Sequence, residues 1–235
     1  MSYVEEEALV LTSGGQDSTT CLFWALKNFK KVYSISFFYN QKHDKEIEVA
    51  SKICKKLNIP QKIVDISFIK DITISNLFKG ESDVSEKHKL NENVPSSFVP
   101  YRNALFLTVA AAWASTIGVK NLITGVCETD YSGYADCREV FIKSMQESLN
   151  LATDFKENNV VIHTPLMKLT KSDEFEIAED MGCLDFIIKE TLTCYNGVEN
   201  ENDFGKGCGE CPACALRKKG FEEFSRKKAT KSKTQ

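Results

Sequence analysis

The sequence predicts an α/β protein, a parallel sheet with helices on both faces, followed by a small four-cysteine region. Three observations predict it. Apolar runs of strand length alternate with segments of helical apolar spacing. The first strand passes into a helix through the glycine turn Ser13-Gly14-Gly15-Gln16-Asp17-Ser18, and a C-x2-C-x2-C run lies near the end of the chain.

Taken in order, Ala8-Leu9-Val10-Leu11 reads as a buried strand, and Cys21, Leu22, Ala25, Leu26 and Phe29 recur at helical spacing after it. Val32 to Phe38 is a second strand, and Ile47, Ala50, Ile53, Cys54 and Leu57 mark a helix that ends before Pro60. Lys62 to Ile66 is a third strand. From Ser67 to Pro95 the pattern dissolves into polar residues, which predicts a long loop or lid. A buried helix spans Asn103 to Ile117 with Gly118 as its C′ residue, and Leu122-Ile123-Thr124 returns to the sheet. Glu139 to Thr153 is helical, and Val160-Val161-Ile162 is a strand. Thr170-Lys171-Ser172-Asp173 opens a helix with capping-box chemistry that Gly182 closes. The expected organisation is an α/β domain over 1–190, a metal-binding region over 191–222 and a flexible basic tail over 223–235.

The glycine turn carries the strongest chemical signal. Adjacent glycines let the backbone approach a ligand closely, and the free N–H groups of the helix start face an anion. Ser13, Ser18 and Thr19 add hydroxyl donors. A G-x-x-x-x-G-K-[ST] pattern is missing here, so no lysine is placed to reach a γ-phosphate. The form S-G-G-x-D-S resembles the loop of the ATP pyrophosphatases, which hold the whole pyrophosphate and commonly split ATP between its α- and β-phosphates. That resemblance implies adenylation.

Composition bounds the rest. The chain has 235 residues, 42% of them hydrophobic, enough for a full core. Its net charge of −3 disfavours a protein whose main task is gripping a polyanion. The acidic start Met1-Ser2-Tyr3-Val4-Glu5-Glu6-Glu7 is unlike a secretory signal, so a cytoplasmic location is expected, and Ala104 to Ala114 is too short to span a bilayer.

Nine cysteines in a cytosolic chain point to metal rather than disulfides. Cys208, Cys211 and Cys214 form the C-x2-C-x2-C run, and Cys194 precedes it across a polar loop, giving four ligands. Four thiolates suit a closed structural Zn²⁺ site, with a [4Fe–4S] cluster as the rival at this spacing. Cys21, Cys54, Cys127, Cys137 and Cys183 read as small buried hydrophobes.

Two further segments lie where an open sheet binds ligands, past the carboxyl ends of strands: Phe98-Val99-Pro100-Tyr101-Arg102-Asn103, and Gly125 through Arg138. With the loop at Ser13, Thr164-Pro165-Leu166-Met167, Leu169-Thr170-Lys171 and the four cysteines, they make residues 8 to 222 resemble the 7-cyano-7-deazaguanine synthases. Tyr101 departs from the small residue, commonly glycine, expected before the Arg-Asn pair.

The resemblance implies a Rossmann-like fold of the adenine nucleotide alpha hydrolase kind. It implies ATP-dependent conversion of 7-carboxy-7-deazaguanine and ammonia, through an adenylated carboxylate and an amide, to the nitrile of queuosine biosynthesis. It further implies ATP contacts from Thr12, Ser13, Gly14, Gly15, Gln16, Asp17, Ser18, Thr19, Thr20, Cys21 and Leu22, structural Zn²⁺ on the four cysteines, and a homodimer. Asp17 is expected to organise Mg²⁺, and Arg102 or Lys171 to neutralise charge at the α-phosphate. A guanine-like edge offers two donors that one carboxylate accepts, from Glu128, Asp130 or Asp136, with Tyr131 or Tyr134 stacking on the ring. Partners are then small molecules, without a membrane and without nucleic acid. A tRNA-modifying ATP pyrophosphatase, of the thiolase or lysidine-synthetase type, is the alternative enzyme, and a zinc-ribbon binding module the alternative outside enzymes.

Overall fold

The computed structural model describes residues 4–39, 45–78, 87–88, 91–95, 97–129, 134–154 and 159–231. Strand β1 (Val4–Leu11) leads through the glycine turn into α1 (Gln16–Asn28), and β2 (Phe29–Phe38) follows without a loop. Helix α2 (Lys45–Lys56), β3 (Gln61–Asp65) and the short α3 (Ile69–Ile72) come next, then a hairpin of β4 (Lys87–His88) and β5 (Asn91–Pro95). The second half comprises α4 (Arg102–Ile117), β6 (Asn121–Ile123), a 3₁₀ turn (Ala135–Cys137), α5 (Glu139–Leu151), β7 (Val161–His163), α6 (Lys171–Asp180), α7 (Leu184–Glu190) and α8 (Pro212–Lys231).

Five strands form one parallel sheet in the order β3-β2-β1-β6-β7. Alternation along β1 divides the core between its faces, as a period of two requires. Leu9 and Leu11 join Leu107, Ala110 and Ala114 of α4 and Ile142 of α5 on one face. Ala8 and Val10 join Cys21, Leu22 and Ala25 of α1 and Val49 and Ile53 of α2 on the other. Each fully buried Leu or Ile stabilises this arrangement by about 1.5–3 kcal/mol relative to exposure.

The expected strands and helices are present, with shifts at their ends. β1 starts at Val4 because the acidic segment pairs in parallel with the start of β2, Val4 opposite Phe29. Phe29, placed in the helix by its spacing, is extended with φ −129° and opens β2. The capping box is real: Thr170 Oγ1 accepts from the Asp173 N–H, and Asp173 accepts from the Thr170 N–H at 3.0 Å. Gly118 closes α4 with φ +72°, its N–H bonded to the Ala114 carbonyl.

Three departures have physical causes. The span 67–95, expected as loop, contains α3 and the β4–β5 hairpin, whose polar strands pair only with each other. Helix α7, too short to register as a period, packs Ile187 beside Ala178 and Cys183. The segment 223–231, expected as tail, continues α8, because Lys227, Lys228 and Lys231 pair with Asp173, Glu179 and Glu176 of α6. Residues 232–235 lie outside the described residues. No described helix is long and apolar enough to cross a membrane.

Candidate active site

The glycine turn sits at the carboxyl end of β1, where the chain order leaves β2 on one side and β6 on the other. Such a reversal opens a crevice above an α/β sheet. Gly14 turns the chain with φ +82°, and a Cβ there would stand 2.7 Å from the Ala50 amide nitrogen of α2. Only glycine fits both constraints. At Gly15 a Cβ would meet the protein no closer than 3.5 Å, so what its absence keeps open is the crevice itself. Ser18 Oγ accepts from the Ser13 N–H at 3.1 Å, and Thr19 Oγ1 donates to the Gly15 carbonyl at 2.8 Å. These bonds hold the loop around the start of α1.

Above the loop lies a cavity of about 300 Å³. Thr12, Ser13, Gly15, Gln16, Asp17 and Ser18 form its floor. Tyr39, Phe106 and Tyr134 give an aromatic wall, with Arg102 among them, and Thr193 and Tyr195 close a third side. Gly14, Thr19, Thr20, Cys21 and Leu22 do not line it. One turn into α1 the side chains of Thr20, Cys21 and Leu22 point into the core, and all are fully buried.

Behind Asp17 is a buried charge network. Lys171 Nζ donates to Asp17 Oδ1 at 2.7 Å and to Glu174 Oε1 at 2.9 Å, and Gln16 Nε2 donates to Glu174 Oε2 at 3.2 Å. Burial opposes charge on Asp17, yet the Lys171 ammonium holds its carboxyl below the ordinary value. Lys171 is 7% exposed and does not line the cavity, so it acts on the crevice through Asp17. Arg102 does line it. Its guanidinium lies 6.0 Å from the ring centroids of both Tyr39 and Phe106. Burial works against its charge, but the neighbouring acidic groups, Asp136 among them, keep it more firmly protonated than usual. Burial also pushes the Tyr39 phenol up to about 12.

The residues expected to read a base are not all brought together. Tyr134 lines the cavity, stacks on Phe98 at 5.5 Å and bonds Ser97 through its hydroxyl at 2.6 Å. Asp136 is buried beside it, but Oδ2 accepts from the Asn103 N–H at 3.1 Å, fixing the start of α4. Glu128 faces outward, accepting from Lys168 at 3.2 Å and from the Glu139 N–H. Asp130 and Tyr131 lie outside the described residues. Sequence reasoning missed Tyr39, Glu46, Phe106, Thr193 and Tyr195. Tyr39 alone carried a signal, since it directly follows the carboxyl end of β2.

The sulfurs of Cys194, Cys208, Cys211 and Cys214 lie within 4.8 Å of one another and could hold a metal ion. The Cys211 N–H donates to Cys208 Sγ at 3.3 Å, and a bond with the Cys214 thiol lowers the Cys211 thiol from its ordinary value. Asn202 ties the intervening loop by donating to the carbonyls of Asn200, Gly205 and Gly207. Gly207 is required, because a Cβ would stand 2.5 Å from Cys214 Sγ.

A parallel sheet with a glycine loop at its reversal point, and with no P-loop lysine in that loop, has the layout of an α/β nucleotide-binding protein. A solved 4-thiouridine synthetase in complex with RNA and ATP shares the fold, with a TM-score of 0.50 at 16% identity, over 94% of this chain and 50% of that one. The family model for queuosine biosynthesis protein QueC matches residues 7–225, and the chain belongs to that family. It is 50% identical over 224 residues to the 7-cyano-7-deazaguanine synthase of Clostridium novyi, covering 95% of this chain and 97% of that one. The synthase of Bacillus subtilis is 47% identical over 220 residues, covering 94% and 95%.

Proposed function

We propose that this chain is an ATP-dependent 7-cyano-7-deazaguanine synthase, converting 7-carboxy-7-deazaguanine and ammonia into the nitrile used for queuosine. The observation that carries the reading is the joining of two surfaces in one cavity. The Ser13–Ser18 floor suits a pyrophosphate, and the Tyr39, Phe106 and Tyr134 wall suits a flat ring. Family membership supplies the identity of that ring.

A carboxylate resists ammonia until its oxygen becomes a leaving group. The carboxylate oxygen attacks the α-phosphorus of ATP, and pyrophosphate departs into the loop. Ammonia then adds to the acyl carbon and AMP leaves, giving the amide. The amide oxygen repeats the attack on a second ATP, and loss of AMP with the remaining amide protons gives the nitrile. Arg102, inside the cavity, stabilises charge developing at the α-phosphate. Lys171 is a positioning residue that holds Asp17. Asp17 would hold a Mg²⁺ accompanying the phosphates, which would supply neutralisation of their charge. Tyr134 stacks on the base, while Glu46, which also lines the cavity, accepts from its donor edge.

Zn²⁺ is the metal we assign to the four cysteines. Tetrahedral bonds of about 2.3 Å put sulfurs about 3.8 Å apart, and Cys208 Sγ lies 3.9 Å from Cys214 Sγ. A cubane spreads its thiolates over separate irons, which this compact set does not favour. The protein acts on small molecules, as a homodimer in the cytoplasm. The test is mass spectrometry of the base and adenine nucleotides after incubation with 7-carboxy-7-deazaguanine, ammonium, Mg²⁺ and ATP. The nitrile is expected. An unchanged base would send the assignment to a tRNA-modifying activity.

A further inference from the structure

Thr193 lies between the four-cysteine centre and the glycine loop, one residue before the buried Cys194. Its Oγ1 accepts from the Gln16 N–H at 3.3 Å and from Arg217 Nη1 at 3.3 Å. A hydroxyl oxygen has two lone pairs and one proton. The two donors occupy both lone pairs, so the proton remains for a third partner, and Thr193 lines the cavity beside Gly15, Gln16 and Asp17. A cationic donor on the same oxygen also makes that O–H a stronger donor.

The support for this side chain is built in. Arg217 is 1% exposed, donates to the Ile187 carbonyl at 3.0 Å, and sits against Gly205, where a Cβ would stand 2.6 Å from its Cζ. Its Nε, buried, has no hydrogen-bond partner among the described residues, a cost accepted for a guanidinium locked in one pose. Arg217 stands one turn beyond Cys214 on α8. The neighbouring Leu192 N–H donates to the Gly14 carbonyl at 3.0 Å, tying segment 191–194 to the loop a second time.

We propose that Thr193 is a further ATP ligand, donating its hydroxyl proton to an oxygen of the pyrophosphate moiety, and that Arg217 is the positioning residue that aims it. The four-cysteine centre then serves nucleotide binding by anchoring both ends of this strut. The proposal rests on the reading of the Ser13–Ser18 loop as the ATP site.

Calorimetric titration of the metal-replete full chain with Mg-ATP, and separately with Mg-pyrophosphate, tests it, with metal content measured in every sample. Thr193→Val keeps the shape and removes the hydroxyl, and should raise both dissociation constants about tenfold, the scale of one bond to a charged group. Thr193→Ser should stay within about twofold of the parent. Parent-like binding by Thr193→Val would overturn the proposal while leaving the ATP reading intact. An equal loss in both variants would assign the effect to packing and overturn it too. A parent chain that binds neither probe would bring down the ATP reading and the proposal together.

Discussion

Gly220 of α8 lies so close to Lys171 of α6 that a Cβ on it would stand 2.9 Å from the Lys171 carbonyl carbon and overlap the lysine's own Cβ. The helix that carries Cys214 and begins at Pro212, directly after Cys211, thus packs on the residue that holds Asp17.

Gly220→Ala tests that packing. In an exposed helix interior the change would stabilise by about 1 kcal/mol. Here the clash with backbone decides the sign, and a loss of about 1–3 kcal/mol is expected. Urea unfolding gives the stability, and steady-state kinetics should show a raised KM for ATP as Lys171 shifts away from Asp17.

Replacing Lys171 by Met leaves Asp17 and the fully buried Glu174 without their cation. Removing one partner of a buried pair costs about 3–5 kcal/mol. The folded pKa of Asp17 lies below its ordinary 3.8. Its stabilising contribution is therefore present above pH 3.8 and is lost as pH falls through the lower folded value. Urea titrations from pH 7 down through pH 3.8 and below the folded value should show that loss in the parent chain, with the Asp17 contribution missing from Lys171→Met.

Tyr101 precedes α4 with φ +61° and is 81% exposed. The left-handed conformation costs a residue with a Cβ about 1–2 kcal/mol, and this side chain buries little in return. The small residue expected at this position is one that the backbone favours. Tyr101→Gly should stabilise the chain by about 1 kcal/mol, read as a raised melting temperature, with kcat unchanged.

Arg102→Ala removes the cation in the cavity wall. Losing a preorganised donor to developing charge costs about 10²–10³-fold in kcat. Steady-state turnover measures it, and full turnover would remove Arg102 from the mechanism.

The glycine loop and the four cysteines were legible because their chemistry is local. Gly14 and Gly15 stand between an apolar strand and a helix, and the C-x2-C-x2-C spacing needs no knowledge of the fold. Glu46 and Thr193 were illegible because only the folding of α2 and the 191–195 segment over the loop brings them to one cavity. Glu128 reads as a substrate ligand by sequence position, yet Lys168, forty residues on, takes its carboxylate. The basic run after Phe224 reads as a solvated tail until the acids of α6 face it. Charge and spacing name the groups; the long-range pairing decides which of them reach the site.

The central claim is attack by the substrate carboxylate on the α-phosphorus of ATP. The most direct measurement uses 7-carboxy-7-deazaguanine labelled with ¹⁸O in its carboxylate, with mass spectrometry of the nucleotide and phosphate products after a single turnover. Adenylation predicts ¹⁸O in AMP and unlabelled pyrophosphate. Label in inorganic phosphate, with ADP as the nucleotide, would contradict it and place the attack at the γ-phosphate.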